Sequence, residues 1–483
     1  MSPWEIAASC VASLLVGLMA GGFISARVQR ARASAIYRRL SKAFQPVQLA
    51  CLTVTERQFP ARIRADLQRA LDDYFGGRAK VLHLCGVRVE QDMFGIDLSY
   101  LLTSDATGWE VPLQHEEVNI GGDILVHCPR NALWIACEGD VRLAVLLSKV
   151  SGFNQPPQIK VNVAATNDDH GRRITQEFFA RLEKAVKEAV SYRGKVLSLD
   201  TSDSYSGEGT GIKVHQIAPV TREDVILKEE TLDLVERNVL QFVVHRSRLR
   251  GLGQSIRKGL LLYGPPGNGK TFTIRYVIGA LEGHTTLLIT GAQIAQLREY
   301  MALARLLQPS LVVIEDIDLV AKERVQSGTS CEEPLLNQLL NEMDGLAPEA
   351  EVIFLLTTNR PELLEEALAN RPGRIDQAIE FSAPGNPERA LLARHYAGGV
   401  KVDPTVIEYA VAATEGASAA FMKELMRRAV QLHLARRDDE AIEIVDVQEA
   451  LDELVLNQRA FSARVLGFDI AAATSDQASN GAK

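Results

Sequence analysis

Apolar and polar positions divide the chain into three kinds of pattern. From Ile6 to Ala26 no charge interrupts 21 residues, which as a helix reach about 31 Å and match a hydrocarbon core of about 30 Å. The pattern predicts one membrane-spanning helix over 6–26. Between about 40 and 210 the periods are short and mixed. Pro60 precedes a helical stripe of Ile63, Leu67, Leu71 and Tyr74 within Ala61 to Phe75, and Gly76-Gly77 supplies a stop. Strand-like runs follow at Ala79 to Cys85, Ile124 to Cys128, Leu133 to Cys137 and Ile159 to Ala164, then a helix over Ile174 to Ser191 and a strand over Lys195 to Leu199. This is an α+β domain over 40–210, closed by the Ser/Gly/Thr-rich stretch Thr201 to Gly211. Beyond it, three apolar runs end abruptly in polar residues: Gly259 to Tyr263, Leu311 to Ile314 and Val352 to Thr357.

The charges orient the first segment. Residues 1–50 hold six basic groups against Glu5 alone, a local +5, so the rest of the 483-residue chain carries −13 of its net −8. The arginines follow the apolar run, as a single anchor with its C-terminal side on the positive face requires, whereas a cleaved signal peptide wants its basic residues first. A buried or interfacial helix and a removed targeting segment are the other readings of 6–26. Ser13, Gly17 and Gly21 fall at the small-xxx-small spacing that lets membrane helices pack closely. The acidic bulk argues against a nucleic-acid partner, whose affinity rests on clustered Lys and Arg. Six cysteines occur without a C-x-x-C pair, and the histidines show no ligand spacing, so structural zinc is not expected. His115-Glu116-Glu117 lacks the second histidine of H-E-x-x-H, since position 119 is Asn119, and reads as a solvated charge pair.

The densest chemistry lies at the ends of the three apolar runs. Gly264-Pro265-Pro266-Gly267-Asn268-Gly269-Lys270-Thr271 is a complete G-x-x-x-x-G-K-T phosphate loop between a strand and a helix-forming run. Its backbone amides suit the phosphates of ATP or GTP, Lys270 the outer phosphates, and the Thr271 hydroxyl Mg²⁺. The second run ends in Glu315-Asp316, where one carboxylate serves Mg²⁺ and the next polarises water. The third ends at Thr358-Asn359, whose amide suits the γ-phosphate or the lytic water. Arg371 and Arg374 then offer two guanidinium groups in one turn, the kind of cation that stabilises a neighbouring subunit's transition state.

In this order and spacing, the motifs over 219–457 resemble the AAA ATPase family. The block from Leu335 to Gly345, followed by Thr357 to Pro361 and Arg371 to Asp376, is similar to that family's second region of homology, as in proteasomal ATPases and membrane-anchored AAA proteases. Thr414 to Phe421 resembles its helical lid. The stretch Ser255 to Tyr263, together with a single N-terminal anchor, looks like the Bcs-type translocases of the mitochondrial inner membrane. The resemblance implies an α/β P-loop NTPase with a parallel sheet and flanking helices over 219–384, a small helical lid over 385–457 and a tail over 458–483. It also implies ATP and Mg²⁺ as cofactors, with Thr271 and Glu315 on the metal, Asp316 polarising water, Asn359 sensing the γ-phosphate, and Arg371 and Arg374 completing the neighbour's site in a ring, usually a hexamer.

Departures from that pattern shape the expectation. Most relatives have Asp then Glu where this chain has Glu315-Asp316. Tyr300-Met301-Ala302 stands in place of the aromatic-hydrophobic-glycine pore loop, and Asp344-Gly345-Leu346 in place of Asp-Gly-Phe. No protease domain is expected after the lid. The expectation is a membrane-anchored ATPase that remodels, assembles or translocates a protein client selected by residues 40–210. Its rivals are an ATP-dependent oligomeric switch or scaffold that threads nothing, and a nucleic-acid motor or loader that the acidic balance disfavours. An inner membrane is expected, with the ATPase facing the cytoplasm if bacterial or the matrix if mitochondrial.

Overall fold

The computed structural model describes residues 35–90, 95–104, 106–122, 124–152, 155–199, 211–318, 335–362, 375–436 and 441–460. The anchor segment 6–26, residues 201–210 of the linker, the arginines Arg371 and Arg374 and the tail beyond 460 lie outside them. Among the described residues no helix is long and apolar enough to cross a membrane. They form two compact units, the first ending at Tyr192 apart from a return over 211–213, the second holding 193–199 and the described residues from Val214.

The first unit is an antiparallel six-stranded sheet in the order Leu52–Pro60, Gln155–Thr166, Val141–Gly152, Asn131–Glu138, Lys80–Val89, Gly108–Val111. One face packs under helices Arg64–Gly77 and Asp169–Glu188 through Leu67, Leu71, Phe178, Leu182 and Trp134. The other lies under a helix over 35–44, through Ile36, Leu40, Phe44, Val87 and Leu146. Both faces of the central strand Val141–Gly152 are therefore buried over Leu143 to Ser148. Its Leu143 to Leu147 run is wholly apolar, which hides the period-2 signal, and the periodicity reading assigns no element there.

Local chemistry moves two helices from their expected bounds. The stripe after Pro60 begins with a 3₁₀ turn, Ala61–Ile63, before the α-helix Arg64–Gly77. The second helix starts at Asp169, not Ile174, because the Asp168 carboxylate accepts from the Gly171 amide at 2.7 Å as an N-cap. Of the charge pair expected to be solvated, His115 and Glu117 are exposed but Glu116 is half-buried. Glu116 sits on the hairpin His115–Asn119 and Leu125–Pro129, where it accepts from the buried Arg64 guanidinium at 2.6 Å and from Lys149.

In the second unit six strands run parallel in the order Val196–Leu199, Thr285–Ile289, Ser310–Ile314, Val352–Thr358, Lys258–Tyr263, Gln377–Glu380. The strand Val196–Leu199, counted by periodicity with the domain over 40–210, pairs in parallel with Thr286 and Leu287. The sheet thus takes a strand from ahead of residue 219. The fold is the expected α/β P-loop NTPase, but among the described residues its sheet has seven strands and is mixed and mostly parallel, where a parallel sheet was expected; the helices Lys270–Ala280, Leu297–Leu306 and Leu335–Asp344 flank it. Four further helices, Asn386–Ala397, Pro404–Ala413, Ala419–Arg436 and Ile444–Ala460, pack Leu392, Ile407, Phe421, Leu425 and Leu454 into a core of their own.

Tyr300 and Met301 are fully buried in the helix Leu297–Leu306, and the Tyr300 hydroxyl accepts from the Leu199 amide at 2.7 Å. After Ile289 the chain turns through Thr290, whose capping box with Gln293 starts a 3₁₀ segment leading into that helix. These side chains hold the core and are not presented as a loop.

Candidate nucleotide site

The phosphate loop grows out of the buried strand Lys258–Tyr263 and turns into the helix Lys270–Ala280. Gly264 has φ +138°, and a Cβ there would stand 2.5 Å from the Phe381 carbonyl oxygen, so only glycine lets the loop leave the strand. Asn268 is buried and donates to the same carbonyl at 3.2 Å. Gly269, at φ +96°, precedes the helix and accepts from the Thr273 amide at 2.8 Å, leaving the first-turn amides facing the cleft. Lys270 opens the helix, and its Nζ donates to the carbonyls of Gly264 at 2.6 Å and Pro265 at 2.9 Å. Burial pushes its ammonium below the usual lysine range, while the carboxylates of Asp316 and Asp318 pull it back up.

The other two motifs meet opposite Lys270. Strand Ser310–Ile314 ends with the Glu315 amide donating to Ile289 at 3.1 Å. The next residue, Asp316, holds a φ of +51°, uncommon for any residue but glycine. Its amide donates to Thr357 Oγ1 at 3.0 Å, and its Oδ1 accepts from Asn359 Nδ2 at 3.0 Å. Below them Asp318 is buried and accepts from Thr358 Oγ1 at 3.0 Å and the Asn359 amide at 3.2 Å. The Thr358 carbonyl accepts from the Gly264 amide at 3.3 Å. One polar network thus joins the loop, the acids and Asn359.

A cleft of about 370 Å³ opens here, in the range of small-molecule sites. Lys270, Thr271, Asp316, Thr357 and Asn359 line its polar end. Val225, Ile226, Leu227, Leu392, Tyr396 and the first residues of the helix Ala419–Arg436, Ala419 and Ala420, line the other, a suitable wall for an aromatic base. The Ala420 amide donates to the Gly267 carbonyl at 2.9 Å, tying the start of that helix to the phosphate loop. Asp224, which caps the Thr221 amide at 2.9 Å, fixes the segment entering that wall.

The structure brings Lys270, Thr271, Asp316 and Asn359 together as their motifs imply. Glu315 is half-buried and is not among the residues that line the cleft. Motif reasoning missed Asp318, Thr357 and the apolar wall. The alternation Asp316-Ile317-Asp318 was a usable signal for Asp318, but its partners sit 40 residues away on another strand.

Residues 260–383 match the family described as ATPase family associated with various cellular activities (AAA). The chain carries an AAA ATPase domain. That AAA domain is similar to parts of longer proteins. An ATP-dependent zinc metalloprotease FtsH 2 of Symbiobacterium thermophilum is 36% identical over 262 residues, covering 52% of this chain and 44% of the relative. An FtsH 1 of Methylacidiphilum infernorum, with the same description, is 34% identical over 260 residues, covering 51% and 39%. One from Acidimicrobium ferrooxidans is 34% identical over 235 residues, covering 46% and 35%. The chain spans less than half the length of each of these relatives.

Proposed function

We propose that this chain is a membrane-anchored AAA ATPase that couples hydrolysis at this cleft to work on a protein client. The observation that carries the ATPase part is the convergence of Lys270, Thr271, Asp316 and Asn359 on one cleft. A protein client is supported by the named activity of the FtsH relatives, and the anchor by the uncharged run over 6–26.

The residues fit Mg²⁺-ATP. Gly264 and Gly267, at φ +138° and +80°, let the loop curl as a phosphate-binding backbone must, the helix N-terminus faces the cleft, and Lys270 supplies a buried cation. Thr271, which lines the cleft, would hold Mg²⁺ through a hard oxygen donor, Glu315 would serve the ion from outside that lining, and the ion would neutralise phosphate charge. Asp316 polarises the attacking water, oriented by the Asn359 amide. Arg371 and Arg374 would complete the site of an adjacent subunit in a ring, probed by mixing subunits carrying Arg371→Ala with subunits carrying Asp316→Asn. Partial recovery of ATPase activity is the result expected of shared sites.

The burial of Tyr300 and Met301 favours a second reading, an ATP-driven switch that reshapes or releases its client without threading it. The test is the ATPase rate of the full chain with an unfolded protein, with membrane extract or with DNA. Stimulation by an unfolded polypeptide supports client threading, and stimulation by a membrane component alone supports the switch. Stimulation by DNA alone contradicts both.

A further inference from the structure

The first unit holds a cluster that no motif search along the chain detects. His83 and Cys85 lie two apart on the strand Lys80–Val89, so they share a face. Glu110, on Gly108–Val111, is the register partner of Val87, two residues further on, and joins that face. The ligand-capable atoms of all three lie within 4.8 Å of one another, the one such group among the described residues. His83 Nε2 stands 3.6 Å from Glu110 Oε2. Two ligand atoms on a tetrahedral Zn²⁺ with bonds of about 2.0–2.3 Å sit roughly 3.3–3.7 Å apart.

The surroundings also suit a metal. Cys85 is 8% exposed, and His83 Nε2 is buried with no hydrogen-bond partner. Leu133 and Ile135, the register partners of Cys85 and His83, belong to the apolar core under the helix over 35–44. From that helix Arg39 grips Glu110 through Nε at 2.5 Å and a terminal nitrogen at 3.2 Å. Such an outer hydrogen bond is what orients a ligating carboxylate. Imidazole, thiolate and carboxylate form a mixed set that favours Zn²⁺ over Mg²⁺ or Ca²⁺.

The geometry points to a Zn²⁺ site made by His83, Cys85 and Glu110, with water in the fourth position. Spacing rules overlook it because the set is split between two strands that meet only in the sheet. The bound ion would brace these two strands, and through Arg39 the helix over 35–44 that follows the apolar segment. The thiol proton leaves to solvent as the Cys85–metal bond forms.

The test is a Co²⁺ titration of metal-free full-length protein in excess Mg²⁺, read by the thiolate-to-cobalt charge-transfer absorption, followed by displacement with Zn²⁺. The magnesium masks the nucleotide site, and the absorption reports cysteine ligation alone. One equivalent of Co²⁺ should give the band in the wild type and Cys128→Ser. Cys85→Ser should abolish it without altering ATPase activity. His83→Ala and Glu110→Gln should each weaken binding by more than about tenfold, since loss of an outer partner alone costs 10–100-fold. No band in folded wild type, or a band that survives Cys85→Ser, overturns the assignment, as does unchanged affinity in both His83→Ala and Glu110→Gln.

Discussion

Asn359 donates its side-chain amide to Oδ1 of Asp316 at 3.0 Å, across two strands of one parallel sheet. The bond fixes the amide beside the carboxylate that we assign to the lytic water. Asn359→Ala should therefore leave ATP affinity close to wild type and lower kcat by about 10²–10³, as loss of one pre-aimed donor does. Calorimetric binding and steady-state turnover on the same preparation check this, and an unchanged kcat would remove Asn359 from the mechanism.

Asp318 is the residue on which that arrangement rests. Replacing it with alanine leaves Thr358 Oγ1 and the Asn359 amide without their acceptor, a cost of about 1–3 kcal/mol when such groups are buried. Asp318→Ala should lower the unfolding midpoint and turnover together. Asp318→Asn keeps an acceptor oxygen and should recover most of both; equal losses in the two variants would contradict this role.

Gly267 couples the loop to the start of the helix Ala419–Arg436. Its φ is +80°, and an added Cβ would come within 2.9 Å of Ala420 Cβ, beside the backbone bond that joins the two segments. Gly267→Ala should weaken ATP binding, since the strained backbone alone costs about 1–3 kcal/mol. Gly279→Ala, whose Cβ would meet only the Val220 oxygen at 3.9 Å, is the control and should bind normally.

His284 makes the second unit sensitive to acid. Arg246 donates to its Nε2 at 2.6 Å, and since a guanidinium can only donate, the ring is neutral with its proton on Nδ1. Burial, then the Arg246 charge, push its pKa below the ordinary 6.5. Below about pH 6.5 the unfolded chain takes up a proton that the folded one refuses, so stability falls as the pH drops. Thermal midpoints between pH 7.5 and 5.5 should decline, and His284→Gln should flatten that slope. A slope unchanged by the substitution would place the acid sensitivity elsewhere.

Contiguous chemistry was legible in the sequence, and chemistry assembled across strands was not. The phosphate loop is a local motif in which eight successive residues carry their own geometry, so its strand, turn and helix stand where the motif requires. Asp316 and Asn359 were legible because each ends an apolar run and therefore emerges at the same edge of a parallel sheet. Asp318 was not, because a buried carboxylate declares itself only through partners 40 residues on. The same limit hid the parallel pairing of Val196–Leu199 with Thr285–Ile289, and the meeting of His83 and Cys85 with Glu110. Tyr300 shows the converse. Its place in a family pattern suggested a loop, but the amphipathic spacing of Leu297, Tyr300, Met301 and Ala304 turns it into the core.

Activation of water by Asp316 is the central step of the proposed hydrolysis. The most direct measurement compares Asp316→Asn with Glu315→Gln, following Mg²⁺-dependent ATP binding and single-turnover hydrolysis in the full chain. Asp316→Asn should bind ATP normally and hydrolyse it about 10²–10⁴ times more slowly, since an amide cannot accept the proton. Glu315→Gln should instead show a weakened dependence on Mg²⁺. Wild-type turnover in folded Asp316→Asn, or slower hydrolysis by Glu315→Gln with its Mg²⁺ dependence intact, would contradict the assignment.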